Sequence, residues 1–121
     1  MDTPLREPTF LILTALAARP MHGYGLIGEV AALSDNQVSL RPGTLYGALD
    51  RLVDAGLVEV DREEVVDGRL RRYYRLSPSG ETTLSTETER LRRNVEAATT
   101  RLSKRTRAAL PTIPRTAGGL A

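Results

Sequence analysis

The sequence contains no cysteine, no tryptophan, a single histidine and, among its 17 cationic side chains, a single lysine, Lys104. Without cysteine there is no disulfide framework and no thiolate to grip a metal, a composition that suits a reducing compartment. His22 has no second imidazole or thiol to join it, so no metal site is expected and its role is to order the turn around it. Aromatic residues make up only 4% of the chain. Any core must therefore be built from Leu, Val, Ile and Ala, thin material for an isolated monomer, and pairing with a second copy would supply the missing burial. The apolar stretch 10–18 is too short to span a bilayer and lacks the flanks of a signal peptide, which points to a soluble, cytoplasmic protein with no membrane partner. There is no phosphate-cradling glycine loop, and no Ser or Thr has a His and Asp to activate it. The carboxylates are scattered among arginines as surface ion pairs would be, so neither an enzyme nor a cofactor is expected.

What is present fits one small domain with an appended element, the scale that 121 residues allow. Pro8 suits the first turn of a helix, and residues 9–18 follow as a strongly apolar first helix ended by Arg19-Pro20. His22-Gly23-Tyr24-Gly25 reads as a short turn. Leu26, Ile27, Val30, Ala31 and Leu33 then recur at helical spacing, closed by Ser34-Asp35-Asn36. Pro42-Gly43-Thr44 opens a third helix with a buried stripe of Leu45, Ala48, Leu49, Leu52 and Val53, stopped at Gly56. Two strand-like runs, 57–64 and 70–76, flank Val66-Asp67-Gly68-Arg69, where Asp-Gly signals a tight hairpin. Ser77 as cap and Pro78 in the first turn start a fourth, long helix.

The net charge of +2 is modest, but the arginines crowd into 69–75 and 90–107. In the second strand of the hairpin, alternation sets Leu70, Tyr74 and Leu76 on one face and Arg69, Arg71, Tyr73 and Arg75 on the other. So many like charges on one short strand repel one another unless a polyanion or solvent screens them. Arg71, Arg72 and Arg75 are the phosphate-contact candidates there, although alternation aims Arg72 at the apolar face unless a bulge or an edge frees it. On the third helix, Thr44 and Tyr46 put hydroxyls at the N-terminal turn, and Arg51 lies nearly two turns further on, within reach of phosphate or a guanine edge. Three short helices followed by a hairpin is the order of a winged helix-turn-helix. Along the fourth helix Leu84, Thr88, Leu91, Val95, Ala98 and Leu102 recur at alternating spacings of four and three, an imperfect coiled-coil seam for a homodimer.

Several ordered segments carry a further signal: Glu7-Pro8-Thr9-Phe10-Leu11-Ile12-Leu13, Met21-His22-Gly23-Tyr24-Gly25, Gly43-Thr44-Leu45-Tyr46 with Ala48-Leu49 and Arg51-Leu52, Gly56-Leu57-Val58, and Arg72-Tyr73-Tyr74-Arg75-Leu76. Together they resemble the PadR family of transcriptional regulators, and the short, single C-terminal helix is similar to its smaller subfamily. The resemblance implies a winged-helix repressor whose C-terminal helix makes the dimer, and it adds Tyr73 to the DNA-facing residues Thr44, Tyr46, Arg51, Arg71 and Arg72. Some members hold flat hydrophobic compounds against a tryptophan at the dimer interface, a residue this chain lacks. The family motif also usually continues with proline where this chain has Gly47.

The sequence therefore predicts a mostly α protein with a small β-hairpin. Residues 5–76 form a winged helix-turn-helix, 77–107 a dimerisation helix through Leu84, Leu91, Val95, Ala98 and Leu102, and 108–121 a disordered tail. The expected function is sequence-specific binding of a pseudo-palindromic duplex operator by a homodimer, released by a small-molecule effector. A winged-helix protein-interaction module without DNA binding is the alternative.

Overall fold

The computed structural model describes residues 4–109. Three helices, α1 (Glu7–Ala18), α2 (Gly23–Leu33) and α3 (Pro42–Asp54), precede a hairpin of β2 (Val58–Val66) and β3 (Arg69–Leu76), and α4 (Pro78–Ala109) follows. A two-residue strand, β1 (Met21–His22), pairs antiparallel with β3, so the sheet has three strands in the order β1-β3-β2. The segment expected to be a plain turn at His22–Gly25 is thus a strand end running directly into a helix. Sequence periodicity could not show a two-residue strand, because its only partner lies about fifty residues away in the chain.

The core is the meeting of the three apolar helix faces. Ile12, Leu13 and Leu16 of α1, Leu26 and Val30 of α2, and Leu45, Leu49 and Leu52 of α3 are buried, closed on the sheet side by Met21, Val58 and Tyr74. Each such side chain contributes about 1.5–3 kcal/mol of burial. The loop after α2 is held by Ser34, whose hydroxyl donates to the Val30 carbonyl at 2.9 Å and accepts from the Val38 amide at 3.0 Å. Asp35 and Asn36 take φ values of 51° and 64°, a left-handed turn that short polar side chains tolerate.

Asp67 and Gly68, at φ 53° and 76°, make the two-residue connection of β2 to β3, as the Asp-Gly pair required. The ladder runs Val66↔Arg69 to Glu63↔Arg72, then slips at Asp61 between Val60↔Tyr74 and Arg62↔Tyr73. The irregularity lies in β2, not beside Arg72. Because β1 meets β3 only at Tyr73 and Tyr74, residues 69–72 project past the covered part of the sheet. That is why Leu70, expected on the apolar face, is 62% exposed, and why Arg72 is exposed on the same face.

The described chain divides into two compact units, one ending at Glu87 and the other beginning at Thr88. In the first, the opening turn of α4 is tied to the α3–β2 turn by the buried Ser77. Its hydroxyl donates to the Gly56 carbonyl at 2.6 Å and accepts from the Gly80 amide at 2.9 Å, while its own amide donates to the Leu57 carbonyl at 3.1 Å. Glu87, also buried, accepts from the Leu5 amide at 3.0 Å and so anchors the N-terminal segment. Leu84, whose spacing assigns it to the dimer seam, packs against the core of this first unit. In the second unit Leu91 is half-buried, Ala98 is exposed, and Val95 and Leu102 are 63% and 62% exposed. Of the tail expected from 108 onward, α4 takes in 108 and 109, and the remainder lies outside the described residues. Among the described residues no helix is long and apolar enough to cross a membrane.

Candidate nucleic-acid interface

The N-terminus of α3 is open. Arg41 enters it in extended conformation, Pro42 occupies its first turn, and no side chain caps it, which leaves the first-turn amides of Gly43 and Thr44 without a side-chain acceptor. Thr44 is exposed, and Tyr46 is 39% exposed. Tyr46 is not a freely swinging surface residue, because its ring end lies over Gly23, the first residue of α2. A Cβ on Gly23 would fall 2.1 Å from the Tyr46 hydroxyl oxygen, so glycine at this position is what lets the ring lie down. Burial first, and the neighbouring Tyr74 and Tyr24 second, push the Tyr46 pKa up, so its hydroxyl stays a neutral donor. Arg51 is exposed and folds back along α3, its guanidinium beside Gly47.

Tyr46 opens on a depression of ≈ 750 Å³ shared by the start of α2, the exposed face of α3 and the tip of the hairpin, with His22, Asp50, Arg69, Arg71 and Arg72 also on its walls. Of the sequence-derived candidates, Tyr46, Arg71 and Arg72 converge here. Thr44 and Arg51 stay on α3 outside it. Arg75 lines a separate depression with Arg19 and Glu81 at the base of the hairpin. Tyr73 is half-buried and already engaged. Its hydroxyl donates to Glu64 at 3.1 Å, its ring lies 3.8 Å under the Arg62 guanidinium, and the edge of His22 meets it at 5.3 Å. Arg69 and Asp50 also line the depression, and neither is a candidate on sequence grounds. Alternation assigns Arg69 to the cationic face, but only the shortness of β1 shows that the tip of β3 borders α3.

The expectation of a free cationic ribbon needs correction. Arg72 is paired with Glu63 at 2.8 Å, Arg75 with Glu59 at 2.9 Å and Asp61 at 3.2 Å, and Arg62 with Asp61 at 3.0 Å and Glu64 at 3.3 Å. For Arg72 and Arg75 the carboxylates come from β2, across the ladder, whereas Arg62 pairs along its own strand, and the hairpin from Val58 to Leu76 carries five Arg against five Asp and Glu. Repulsion within β3 is therefore relieved inside the hairpin itself. Among the described residues Arg69 and Arg71 form no salt bridge, so they are the wing cations left to meet an external anion.

His22 caps α2, its Nδ1 accepting from the Gly25 amide at 3.2 Å. That bond requires the neutral ring. Burial chiefly, and the Arg71 charge next, lower its pKa, with Glu64 acting in the opposite sense. A base whose folded pKa is depressed contributes stability above its unfolded pKa of roughly 6.5 and loses it as pH falls through the folded value. Thermal melts between pH 7.5 and 5 are thus expected to fall more steeply for the wild type than for His22→Asn, which keeps a capping oxygen but cannot titrate. Parallel curves would show that protonation of His22 is not coupled to folding.

A protein-family model described as the transcriptional regulator PadR-like family matches residues 12–86. The chain is similar to the transcriptional regulator Rv3488 of Mycobacterium tuberculosis, 43% identical over 74 residues, which are 61% of this chain and 65% of that one. The match spans just under two thirds of that relative's length. Among solved structures, it is similar to a PadR family transcription regulator from hypervirulent Clostridium difficile, with a TM-score of 0.67 at 22% identity over 80% of this chain and 99% of that one. Bacillus subtilis PadR, solved in complex with operator DNA, superposes with a TM-score of 0.60 at 22% identity, over 67% of this chain and 47% of that one. At these identities the two structures establish a shared fold.

Proposed function

This chain belongs to the PadR-like family of transcriptional regulators, and on that premise we propose that it is a cytoplasmic repressor that binds a pseudo-palindromic duplex operator as a homodimer. It is a regulator rather than an enzyme. The observation that carries the DNA reading is the juxtaposition, inside one compact unit, of Tyr46 on α3 with Arg69 and Arg71, which form no salt bridge among the described residues, around one open depression, beside the uncapped first turn that carries Thr44. In this reading α3 enters the major groove, with Thr44 and Tyr46 directed at backbone phosphates and Arg51 at phosphate or a guanine edge. Arg69 and Arg71 hold the adjoining backbone. Arg72, Arg75 and Tyr73 support the wing through their own carboxylate partners. Bacillus subtilis PadR, whose complex contains operator DNA, lends the reading weight by its shared fold.

Two-fold symmetry would set half-sites about one helical turn apart. Selecting binders from random duplex DNA, followed by a gel shift at moderate salt, tests this. A related pair of half-sites is expected, and recovery of no sequence-selective complex would defeat the reading. A small-molecule effector would act by favouring a dimer that no longer fits the operator, and such a compound should weaken operator binding reversibly.

For the dimer, the apolar stripe of half-buried Leu91 and exposed Val95, Ala98 and Leu102 is the proposed seam. Leu84 contributes less than its spacing suggests, because it is already engaged in the first unit's core. Leu91→Asp with Val95→Asp would place carboxylates in the seam. The double variant is expected to sediment as a folded monomer and to lose operator affinity; a persisting dimer would show that the interface lies elsewhere.

A further inference from the structure

The chain's charge is divided unevenly between its two units. The unit ending at Glu87 has nine Arg against thirteen Asp and Glu, a net charge of −4, whereas the sequence from Thr88 onward has eight Lys and Arg against two Asp and Glu, a net charge of +6. A winged unit with net negative charge is poorly equipped by itself to approach a polyanion, since the sequence-independent part of duplex binding comes from phosphate neutralisation.

The excess cations are not spread along α4. In its middle, Arg92 is paired with Glu89 at 2.6 Å and with Glu96, and Arg93 with Glu89 at 3.4 Å. Glu96 is the last acid in the sequence. Beyond it Arg101, Lys104, Arg105 and Arg107 are all exposed, and among the described residues none of them forms a salt bridge. At about 100° per residue, these four fall within roughly half of the helix circumference. Lys104 and Arg107 point away from the stripe of Leu91, Val95, Ala98 and Leu102, while Arg105 borders it and Arg101 lies about a quarter of the circumference from its centre on the same side. Pairing through that stripe would therefore leave the cations facing solvent or at the rim of the seam. The helix dipole favours cations only in the last turn. It accounts for Arg107, the one basic residue there, but not for Arg101, about two turns earlier.

We infer that the end of α4 is a second nucleic-acid contact. Arg101, Lys104, Arg105 and Arg107 bind the phosphate backbone of duplex DNA and supply the non-specific attraction that the acidic winged unit cannot. The inference rests on the DNA reading of the winged unit and adds a surface to it. The occupant is duplex DNA because the same chain is proposed to bind DNA through its winged unit, and four exposed cations without salt bridges along one side of a helix match a backbone of regularly spaced charge.

The test uses the full chain with Arg101→Gln, Lys104→Gln, Arg105→Gln and Arg107→Gln together, substitutions that retain helix propensity and length. Binding to a random-sequence duplex and to the selected operator is measured across a salt series, with circular dichroism and sedimentation as controls for fold and oligomeric state. The expected result is at least a tenfold loss of affinity for random duplex at low salt, and a slope of log K against log salt shallower by roughly 0.9 for each phosphate no longer neutralised. Operator preference over random duplex should persist. Unchanged slopes in a folded variant would overturn the second contact while leaving the winged-unit reading intact. A wild-type protein that binds no duplex would overturn both. Loss of binding to phosphatidylserine vesicles, with DNA binding unaltered, would reassign the surface to anionic lipid and overturn the inference.

Discussion

Gly80→Ala is expected to destabilise the winged unit by roughly 3–5 kcal/mol, enough to lower its melting temperature by more than about 10 °C. A Cβ built on Gly80 lies 2.0 Å from the Leu57 carbonyl oxygen, 3.0 Å from its carbon and 2.8 Å from the Leu76 Cδ1. The obstacle is backbone, which cannot rotate aside as a side chain can. Separating α4 from the α3–β2 turn would also strain the Ser77 bonds to Gly56, Leu57 and Gly80, groups that are costly to leave unpaired when buried. Gly28→Ala is the control. Gly28 sits inside α2 with nothing within 4 Å of its would-be Cβ, so alanine should stabilise by about 0.5–1 kcal/mol through helix propensity alone. Thermal melts of the two variants settle the matter, and a Gly80→Ala protein as stable as wild type would mean that the close approach of Gly80 to Leu57 is not needed for the fold.

Arg69→Ala with Arg71→Ala is expected to weaken operator binding on the order of 100-fold at moderate salt. The log–log salt slope should become shallower by roughly two for each protomer bound. These are the wing cations with no carboxylate to satisfy them, so their charge is available to phosphate. Removing an ion pair as a unit, Arg72→Ala with Glu63→Ala, leaves the net charge unaltered and should change affinity only a few-fold with the slope unmoved. Equal losses in the two double variants would show that Arg72 leaves Glu63 to contact DNA. An unmoved slope for the first would remove the wing tip from the interface.

The contrast between those two pairs marks how far a sequence can be read. Alternation along β3 identifies the cationic face of that strand, but a strand's charge is decided by what lies across the ladder. Glu59, Asp61, Glu63 and Glu64 are visible in the sequence as ordinary surface acids. Only the register, with its slip at Asp61, brings Glu63 onto Arg72 and both Glu59 and Asp61 onto Arg75. Tyr46 shows the same limit on a helix. Its position on the exposed side of α3 follows from periodicity, but its pose depends on the missing side chain of Gly23, more than twenty residues earlier.

Leu84 differs in kind. Its spacing continues the stripe of Leu91, Val95, Ala98 and Leu102, and a repeat along one helix cannot tell which of its members a neighbouring element has already taken. Packing of the first turns of α4 against the α1–α3 core makes that decision.

What this sequence determined by itself was local: the three apolar helix faces, the Asp67-Gly68 turn, the Ser77-Pro78 helix start, and an ordered set of short motifs sufficient to indicate the family. Each depends on residues within about a turn or two of one another, where backbone geometry dictates who can meet. The two-residue strand β1, the neutralisation of the wing, the seat of Tyr46 and the choice of Arg69 and Arg71 as the free cations were decided by tertiary structure. Each requires groups distant in the chain to come within a few ångströms, and pairwise contact of that kind has no period for a sequence to display.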